Sequence, residues 1–264
     1  MFKVLHIWNT AGVASIIGKY MDRIYGTKSY IMMRRSFDKF GLTTYGDCFN
    51  DRAKLFLLRS LWKAKDFSLI HIHSLDKLVP VIRFLYPKKP IILHYHGSDI
   101  RGRWKEKRKY YSKADKVFVS SPDLLEGFKN EEAIYIPNPV DTELFYPRGI
   151  QRLRKAFHIY YNANDIAEIL AKRYNLELVV HNREKEPIPY RKLGEILSKY
   201  EYYIDVKRSE GKVIKAISKT ALEALACGCK VIKYDGEILK ELPLENMPEE
   251  VIERIWLVYK DLIL

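Results

Sequence analysis

Two short stretches of the chain hold the residue types that acid–base and phosphate chemistry require. The first is His94-Tyr95-His96-Gly97-Ser98-Asp99, which closes the apolar run Ile91-Ile92-Leu93. An apolar run stopped by a glycine reads as a strand ending in a tight turn. Alternation places His94 and His96 on the same side of that strand. Gly97 lets backbone approach a ligand closely, and His96, at the strand end, is placed for a general base or a donor to a sugar phosphate. The plainer reading makes both histidines core residues bonded to backbone. His71 and His73 repeat the pattern one strand earlier, with His73 at the strand end. Pairs two apart on strands, with no adjacent Cys or carboxylate cluster, lack metal-ligand spacing, so no metal is expected.

The second stretch is Ser218-Lys219-Thr220-Ala221-Leu222-Glu223-Ala224-Leu225-Ala226-Cys227-Gly228, followed by the apolar Val231-Ile232. It reads as a helix with a glycine stop and then a buried strand. Thr220 and Glu223 have capping-box spacing, and Gly228 suits the position just past a helix end. A helix start carrying Ser, Lys and Thr is also suited to an anion, because free N–H groups and the positive dipole end point the same way. A phosphate or diphosphate ligand fits; so does an ordinary capped helix packed on a sheet.

Weaker signals surround these two. Asn9-Thr10-Ala11-Gly12 follows the first strand and opens a helix, as a phosphate loop would, but it is not G-x-G-x-x-G. A nicotinamide enzyme is not expected. The run from Arg101 to Tyr111 is the densest in basic residues, with aromatics interleaved. It suits an anionic lipid surface or polyanionic acceptor, or is simply a solvated helix face. The segment from His181 to Tyr190 is rich in loop formers, and lines a cleft or is plain surface.

The elements that must hold these residues alternate. Strands are expected at Lys3–Trp8, Ser29–Met33, Leu69–His73, Ile91–His96, Lys116–Ser120 and Ala133–Pro137. Helical patterns lie between them at Ala14–Arg23, Ala53–Ala64, Lys77–Phe84, Trp104–Ser112 and Asp123–Lys129. A second series follows Pro147, with strands Arg154–Tyr161, Leu176–His181, Tyr202–Val206 and Lys230–Tyr234, and helices Ala163–Arg173 and Tyr190–Lys199 before the second stretch. An amphipathic helix from Glu249 to Leu264 closes the chain. Repeated βα units predict parallel sheets covered on both faces, with ligands at the carboxyl ends of the strands. Those ends are rich in Gly, Ser, His and Asn. Two doubly wound domains facing a cleft follow, with a boundary near Tyr146–Gly149.

Bulk properties narrow the partners. The chain has 264 residues, nearly half of them hydrophobic, and a formal net charge of +13. Through Pro147 there are 25 Lys and Arg against 15 Asp and Glu, so most of the excess lies in the first half. Such charge calls for an anionic partner: a nucleotide, a phosphorylated substrate, an anionic membrane or nucleic acid. Nucleic acid is the least expected, since no recognition motif accompanies the charge. No apolar run reaches transmembrane length and the start of the chain reads as a strand, so a cytoplasmic location is expected. Cys48, Cys227 and Cys229 form neither a disulfide framework nor a zinc pattern. High Lys, Glu, Ile and Tyr resembles a thermophile's composition.

Taken in order, five segments resemble the family-4-like glycosyltransferases of the GT-B fold. Asp66-Phe67-Ser68-Leu69-Ile70-His71-Ile72-His73 is similar to the family's D-x-I-H-x-H strand, and His94 to Ile100 to its H-G-x-D segment. Ala114 to Pro122 is similar to A-D-x-V-x-x-x-S, Ile136 to Pro147 to I-P-N-G-V-D-x-x-x-F-x-P, and the second stretch to L-E-A-x-A-C-G-x-x-V-I. The resemblance implies an acceptor domain over residues 1–147, a nucleotide-sugar donor domain over 148–248, and a helix over 249–264 crossing back to the first. It implies transfer of a sugar from a UDP-, GDP- or ADP-linked donor, with retention, no metal and no further cofactor. The acceptor would be anionic or lipid-linked, with peripheral contact to an anionic membrane. By position, His96 would lie beside the reacting sugar, Glu223 would accept from the ribose hydroxyls, and Gly12, Ser218, Lys219 and Thr220 would border the diphosphate. His181 would join the donor side, and His73, Asp99, Arg101 and Arg103 the acceptor side.

Three departures stand out. Lys215 occupies the position, eight before Glu223, where the family carries a second carboxylate. The second domain, about 100 residues long, lacks the G-R-x-x-x-x-K-G segment that normally neutralises the diphosphate. Lys207, Arg208, Lys212, Lys215 or Lys219 would have to supply that charge. Pro139 and Ala11 stand where glycines are usual. These departures give a second reading: a GT-B-like binding or partner subunit without catalysis.

Overall fold

The computed structural model describes residues 1–128, 133–160 and 162–263. The chain divides into two compact units, one of Met1–Pro139 with Pro248–Leu264 and one of Val140–Met247.

The first unit is built on a seven-stranded parallel sheet. Its strands are β1 (Lys3–Ile7), β2 (Lys28–Arg34), β3 (Asp47–Phe49), β4 (Leu69–His73), β5 (Ile91–Tyr95), β6 (Lys116–Val119) and β7 (Ile134–Tyr135), in the order β3-β2-β1-β4-β5-β6-β7. The order reverses direction between β1 and β4, and ligands of such sheets bind beyond the strand ends at that switch point. Helices α1 (Val13–Tyr25), α2 (Ala53–Ala64), α3 (Leu78–Leu85) and α4 (Trp104–Tyr111) cover the sheet. In α1, Val13, Ile16, Ile17, Tyr20 and Met21 are buried at helical spacing. Gly26 ends α1 in the left-handed conformation, its N–H bonded to the Asp22 carbonyl. The helical pattern from Asp123 is realised as a 3-10 turn over Pro122–Gly127, since the segment is too short to bury a face; Lys129 lies outside the described residues.

The second unit has a five-stranded sheet in the order β14-β13-β10-β8-β9. It contains β8 (Leu153–Ile159), β9 (Glu177–His181), β10 (Tyr200–Asp205), β13 (Lys230–Lys233) and the antiparallel edge β14 (Ile238–Leu239). A hairpin of β11 (Arg208–Ser209) and β12 (Lys212–Val213) stands apart from that sheet. Helices α5 (Asn164–Arg173), α6 (Tyr190–Leu197) and α7 (Lys219–Ala226) complete the unit. The strand expected to end at Tyr161 ends at Ile159, and Tyr161 itself lies outside the described residues. The division between the units falls at Val140 rather than near residue 147. Val140 N–H bonds the Asn246 carbonyl, and Phe145 packs against Tyr190 at 5.2 Å, so this stretch folds with the second unit.

The last helix, α8 (Pro248–Asp261), belongs to the first unit. Pro248 occupies its first turn, where no N–H is needed. Val251, Ile252, Ile255 and Tyr259 are fully buried against α1 and the sheet, with Val4, Ile17 and Phe118 in the same cluster. Each such side chain stabilises the unit by roughly 1.5–3 kcal/mol.

Candidate functional site

The polar ends of the first sheet are built by strand alternation. Parallel strands covered on both faces are apolar throughout, and here every residue of β4 and β5 is buried. On the face toward α1 and α8, however, the alternate positions are His6, His71, His73, His94 and, just past β5, His96. Register pairs His6 with His71 and His73 with His94. The rings stack, with centroids 4.2 Å apart for His94 and His96 and 4.3 Å for His71 and His73. His6 Nδ1 lies 3.2 Å from His73 Nε2, and His73 Nδ1 lies 3.0 Å from His96 Nε2. His71 Nδ1 meets the Tyr259 hydroxyl at 2.6 Å, tying α8 to the cluster. Burial drives all five rings toward the neutral form: His6 to a pKa of about 3, His96 to about 4, and His71, His73 and His94 well below their ordinary value. At His96, Asp99 and Asn138 oppose the burial effect without overcoming it.

Asp99 organises the turn after β5. It accepts the His96 N–H at 2.9 and 3.0 Å, the Gly97 N–H at 2.7 Å and the Ser74 hydroxyl at 2.6 Å. Ser74 in turn meets Thr10 Oγ1 at 2.7 Å, which bridges the β1 and β4 ends at the switch point. Trp8, Ala11 and Ser74 all have positive φ, at 76°, 53° and 61°. Strained backbone of this kind concentrates at functional sites. Gly12 also has positive φ, and a Cβ there would lie 3.1 Å from the Leu42 carbonyl. Its need for glycine is therefore explained by the chain's own close approach. His73 is fully buried among the other rings. Arg101 pairs with Asp123 at 2.7 Å and Arg103 with Glu106 at 3.0 Å, so both cations already have carboxylate partners. Within the basic run, Lys107 points inward and pairs with buried Asp76 at 2.7 Å, so α4 is not simply a solvated face.

Among the described residues, two imidazole groups, His6/His71/His73 and His73/His94/His96, bring ligand atoms within 4.8 Å of one another. Ring planes in the cluster lie 12–35° apart, and facing nitrogens meet pairwise, at 3.2 Å for His6 and His73 and 3.0 Å for His73 and His96. Direct N–N contacts at hydrogen-bond distance join His6, His73 and His96.

In the second unit, α7 starts one residue after a capping side chain, but the cap differs from the expected one. Ser218, in extended conformation, accepts the Ala221 N–H at 3.1 Å, and Thr220 lies inside the helix, buried. The capping residue must be non-helical, which Ser218 is and Thr220 is not. Glu223 is consequently too far along to bond back to the start. It forms an ion pair with Lys219 and accepts the Tyr190 hydroxyl at 2.6 Å, while Lys219 Nζ also reaches that hydroxyl at 2.6 Å. Glu223 is 2% exposed and Lys219 side chain 9%. Burial and the Glu223 carboxylate push the Tyr190 phenol well above its ordinary pKa. The Ser218 N–H is held by Asp205 at 2.8 Å.

Lys207, Arg208 and Lys215 lie on and beside the β11–β12 hairpin, where the Ile214 N–H bonds the Lys207 carbonyl at 3.0 Å. Arg208 forks onto Asp165 at 2.7 and 2.8 Å, Lys207 is half-buried, and Lys215 is exposed. His181, the half-buried last residue of β9, meets the Glu186 carbonyl through Nε2 at 2.8 Å. The structure thus brings together Ser218, Lys219, Thr220 and Glu223 in one place, and His73, His96 and Asp99 in another. Sequence reasoning missed His6, Tyr190, Asp205 and Tyr259. His6 was legible, since it interrupts an apolar strand in phase with His71; the others are joined to their partners only by folding.

Comparison with known proteins follows the same division. Residues 29–144 match the family model of Glycosyltransferase Family 4, which covers His71, His73, His96 and Asp99. Among curated protein sequences none matches the chain. Similar solved structures include sucrose-phosphate synthase from Thermosynechococcus elongatus, at 14% identity and TM-score 0.52 over 88% of this chain and 81% of that one. MnaA from S. aureus, in a co-structure with UDP, is similar at 12% identity and TM-score 0.50 over 100% and 90%. The spinosyn forosaminyltransferase SpnP is similar at 10% identity and TM-score 0.50 over 99% and 91%. The family-4-like resemblance is thereby borne out, and the fold is the two-domain, Rossmann-like α/β fold of GT-B glycosyltransferases. Among the described residues no helix is long and apolar enough to cross a membrane.

Proposed function

We propose that the protein is a glycosyltransferase that moves a sugar from a nucleotide-diphosphate donor to an anionic or lipid-linked acceptor, retaining configuration without a metal. The observation that carries the reading is the polar switch point of the first sheet, where Thr10 meets Ser74, His96 and Asp99, the last three of which lie within residues 29–144 that match Glycosyltransferase Family 4. Loss of a nucleotide diphosphate needs positive stabilisation of the leaving charge. The start of α7, with Ser218, Lys219 and Thr220, supplies N–H groups and a dipole end, and Lys207, Arg208 and Lys215 supply further charge. His96, neutral above about pH 4, contacts the transferred sugar as a hydrogen-bonding group. Glu223 serves the ribose by sharing its contacts with Lys219 and Tyr190.

A membrane-bound acceptor is supported by α2. Leu55, Leu58 and Trp62, on one face of that helix, are 51%, 63% and 59% exposed, and Lys65 Nζ lies 4.3 Å above the Trp62 ring. An apolar stripe flanked by lysines suits an anionic bilayer surface. Co-sedimentation with vesicles containing anionic lipid, and none with neutral vesicles, is the expected result.

The reaction is tested by incubating the full chain with UDP-, GDP- and ADP-sugars and following nucleotide release. At least one donor should be turned over, and His96→Ala should cut that rate by roughly 100-fold. The second reading, binding without catalysis, is favoured by Lys215 in place of a carboxylate. Saturable nucleotide binding with no release from any donor would select it.

A further inference from the structure

Four buried imidazoles and a half-buried fifth, His96, exceed what one catalytic histidine needs, and three of the five are joined end to end. His96 uses Nε2 toward His73 Nδ1, and His73 uses Nε2 toward His6 Nδ1. We propose that His6 and His73 are positioning residues which fix the tautomer of His96, so that His96 presents an Nδ1–H donor and no free lone pair. The proposal rests on the reading of His96 as a contact to the transferred sugar only for its consequence in catalysis.

The argument is one of donor and acceptor counting. A neutral imidazole has one N–H and one lone pair, on opposite nitrogens. His73 is hydrogen-bonded through both, so it donates at one end and accepts at the other. The three protons therefore move as a set, and only two arrangements satisfy both links. In one, every ring carries its proton on Nδ1: His6 donates to His73, His73 donates to His96, and His96 Nδ1–H remains for Asn138 or a ligand. In the other, every donation runs the opposite way, and His6 is left with a proton on Nε2.

The far end of the chain decides between them. His6 is fully buried and its Nε2 has no hydrogen-bond partner among the described residues; His96 Nδ1 is buried without a direct bond as well, but there the Asn138 side chain interacts with the ring as an acceptor. Besides the neighbouring rings of His71 and His73, buried apolar residues such as Val4 and Ile17 line that face of the sheet. A buried N–H without an acceptor is costly and rare in native proteins. The arrangement that leaves only a lone pair at His6 Nε2 avoids that orphan donor. At the other end Nε2 of His96 is occupied by His73, which leaves Nδ1 as the nitrogen available to the Asn138 side chain beside the ring. His96 is thus a donor, suited to a sugar hydroxyl or ring oxygen and unsuited to removing a proton.

Histidine-selective 15N labelling of the full chain gives seven ring systems. Long-range proton–nitrogen correlation at pH 7, without nucleotide, reports which nitrogen of each ring is protonated. His6, His73 and His96 should all show the Nδ1–H pattern. In His73→Phe the link is cut, and His96 should shift to the Nε2–H form or to a mixture. An Nε2–H His96 in the parent protein would overturn the proposal, as would an unmoved His96 pattern in a folded His73→Phe. If that variant does not fold, the parent spectrum and His6→Phe decide. Ring signals that change on adding a chelator would indicate a bound cation and would equally overturn it. Nucleotide binding is measured separately by calorimetry. Its absence would remove the glycosyltransferase reading and leave the tautomer result standing.

Discussion

The first unit gathers four buried imidazoles and the half-buried His96 on one face of its sheet, and the second buries a lysine and a glutamate at the start of α7. Both concentrate polarity in a dry interior, but they resolve its cost in different ways. A histidine can shed its charge near neutral pH, so burial alone renders the first cluster neutral, and the rings satisfy one another by hydrogen bonds. The second cluster holds its lysine and glutamate as an ion pair that shares the Tyr190 hydroxyl. A neutral cluster is suited to orienting a sugar. A self-paired one can meet a dianionic ligand only by redistributing its contacts.

The largest effect should come from breaking the charged pair. Glu223→Gln leaves the Lys219 ammonium buried without a counter-charge, and chemical denaturation should show a loss of about 3–5 kcal/mol. Replacing both partners, with Lys219→Met and Glu223→Leu, should recover most of that loss. Failure of the double variant to recover would mean that the cluster is not an isolated pair.

Acid should reveal the neutral cluster. In the unfolded chain a histidine titrates near 6.5, whereas His6 and His96 titrate at about 3 and about 4 in the fold. Between these limits the unfolded state binds more protons, so stability rises with pH and falls on acidification below 6.5. At pH 5 each of these two residues should cost on the order of 2 kcal/mol relative to pH 8. Histidine→Phe at position 6 should flatten that dependence, and an unchanged slope would show that His6 is not held neutral.

Smaller effects separate the turn from its rim. Asp99→Ala strands two N–H groups and the Ser74 hydroxyl, and should lower stability by about 1–3 kcal/mol. Arg101→Ala removes a partly exposed pair with Asp123 and should change stability by less than about 1 kcal/mol. If Arg101 matters for activity nonetheless, that points to acceptor contact rather than to folding.

Much of this was legible in the sequence. The apolar runs located every long strand of both sheets, most plainly β4 and β5, which are buried on two faces and leave little choice of residue. The His-x-His spacing on β4, and the His94-x-His96 pair that spans the end of β5, placed the rings on one face before any coordinates. Short elements escaped: β3, β11, β12 and β14 have two or three residues, too few to show a period. The helix cap was misassigned because Ser218 and Thr220 are both capping residues, and only backbone conformation selects between them. The partnership of Tyr190 with Glu223 joins residues 33 apart in sequence, and that of His71 with Tyr259 joins residues 188 apart. No local pattern can encode either.

The division of labour between the two clusters is tested most directly by titrating UDP, GDP and ADP into the full-length parent, His96→Ala and the Lys219→Met/Glu223→Leu double variant by calorimetry. The account predicts that the parent and His96→Ala bind the same nucleotide with similar affinity, and that the double variant, though folded, binds it at least tenfold more weakly. Equal affinity in all three, or binding lost only in His96→Ala, would contradict the assignment of the donor to the second unit.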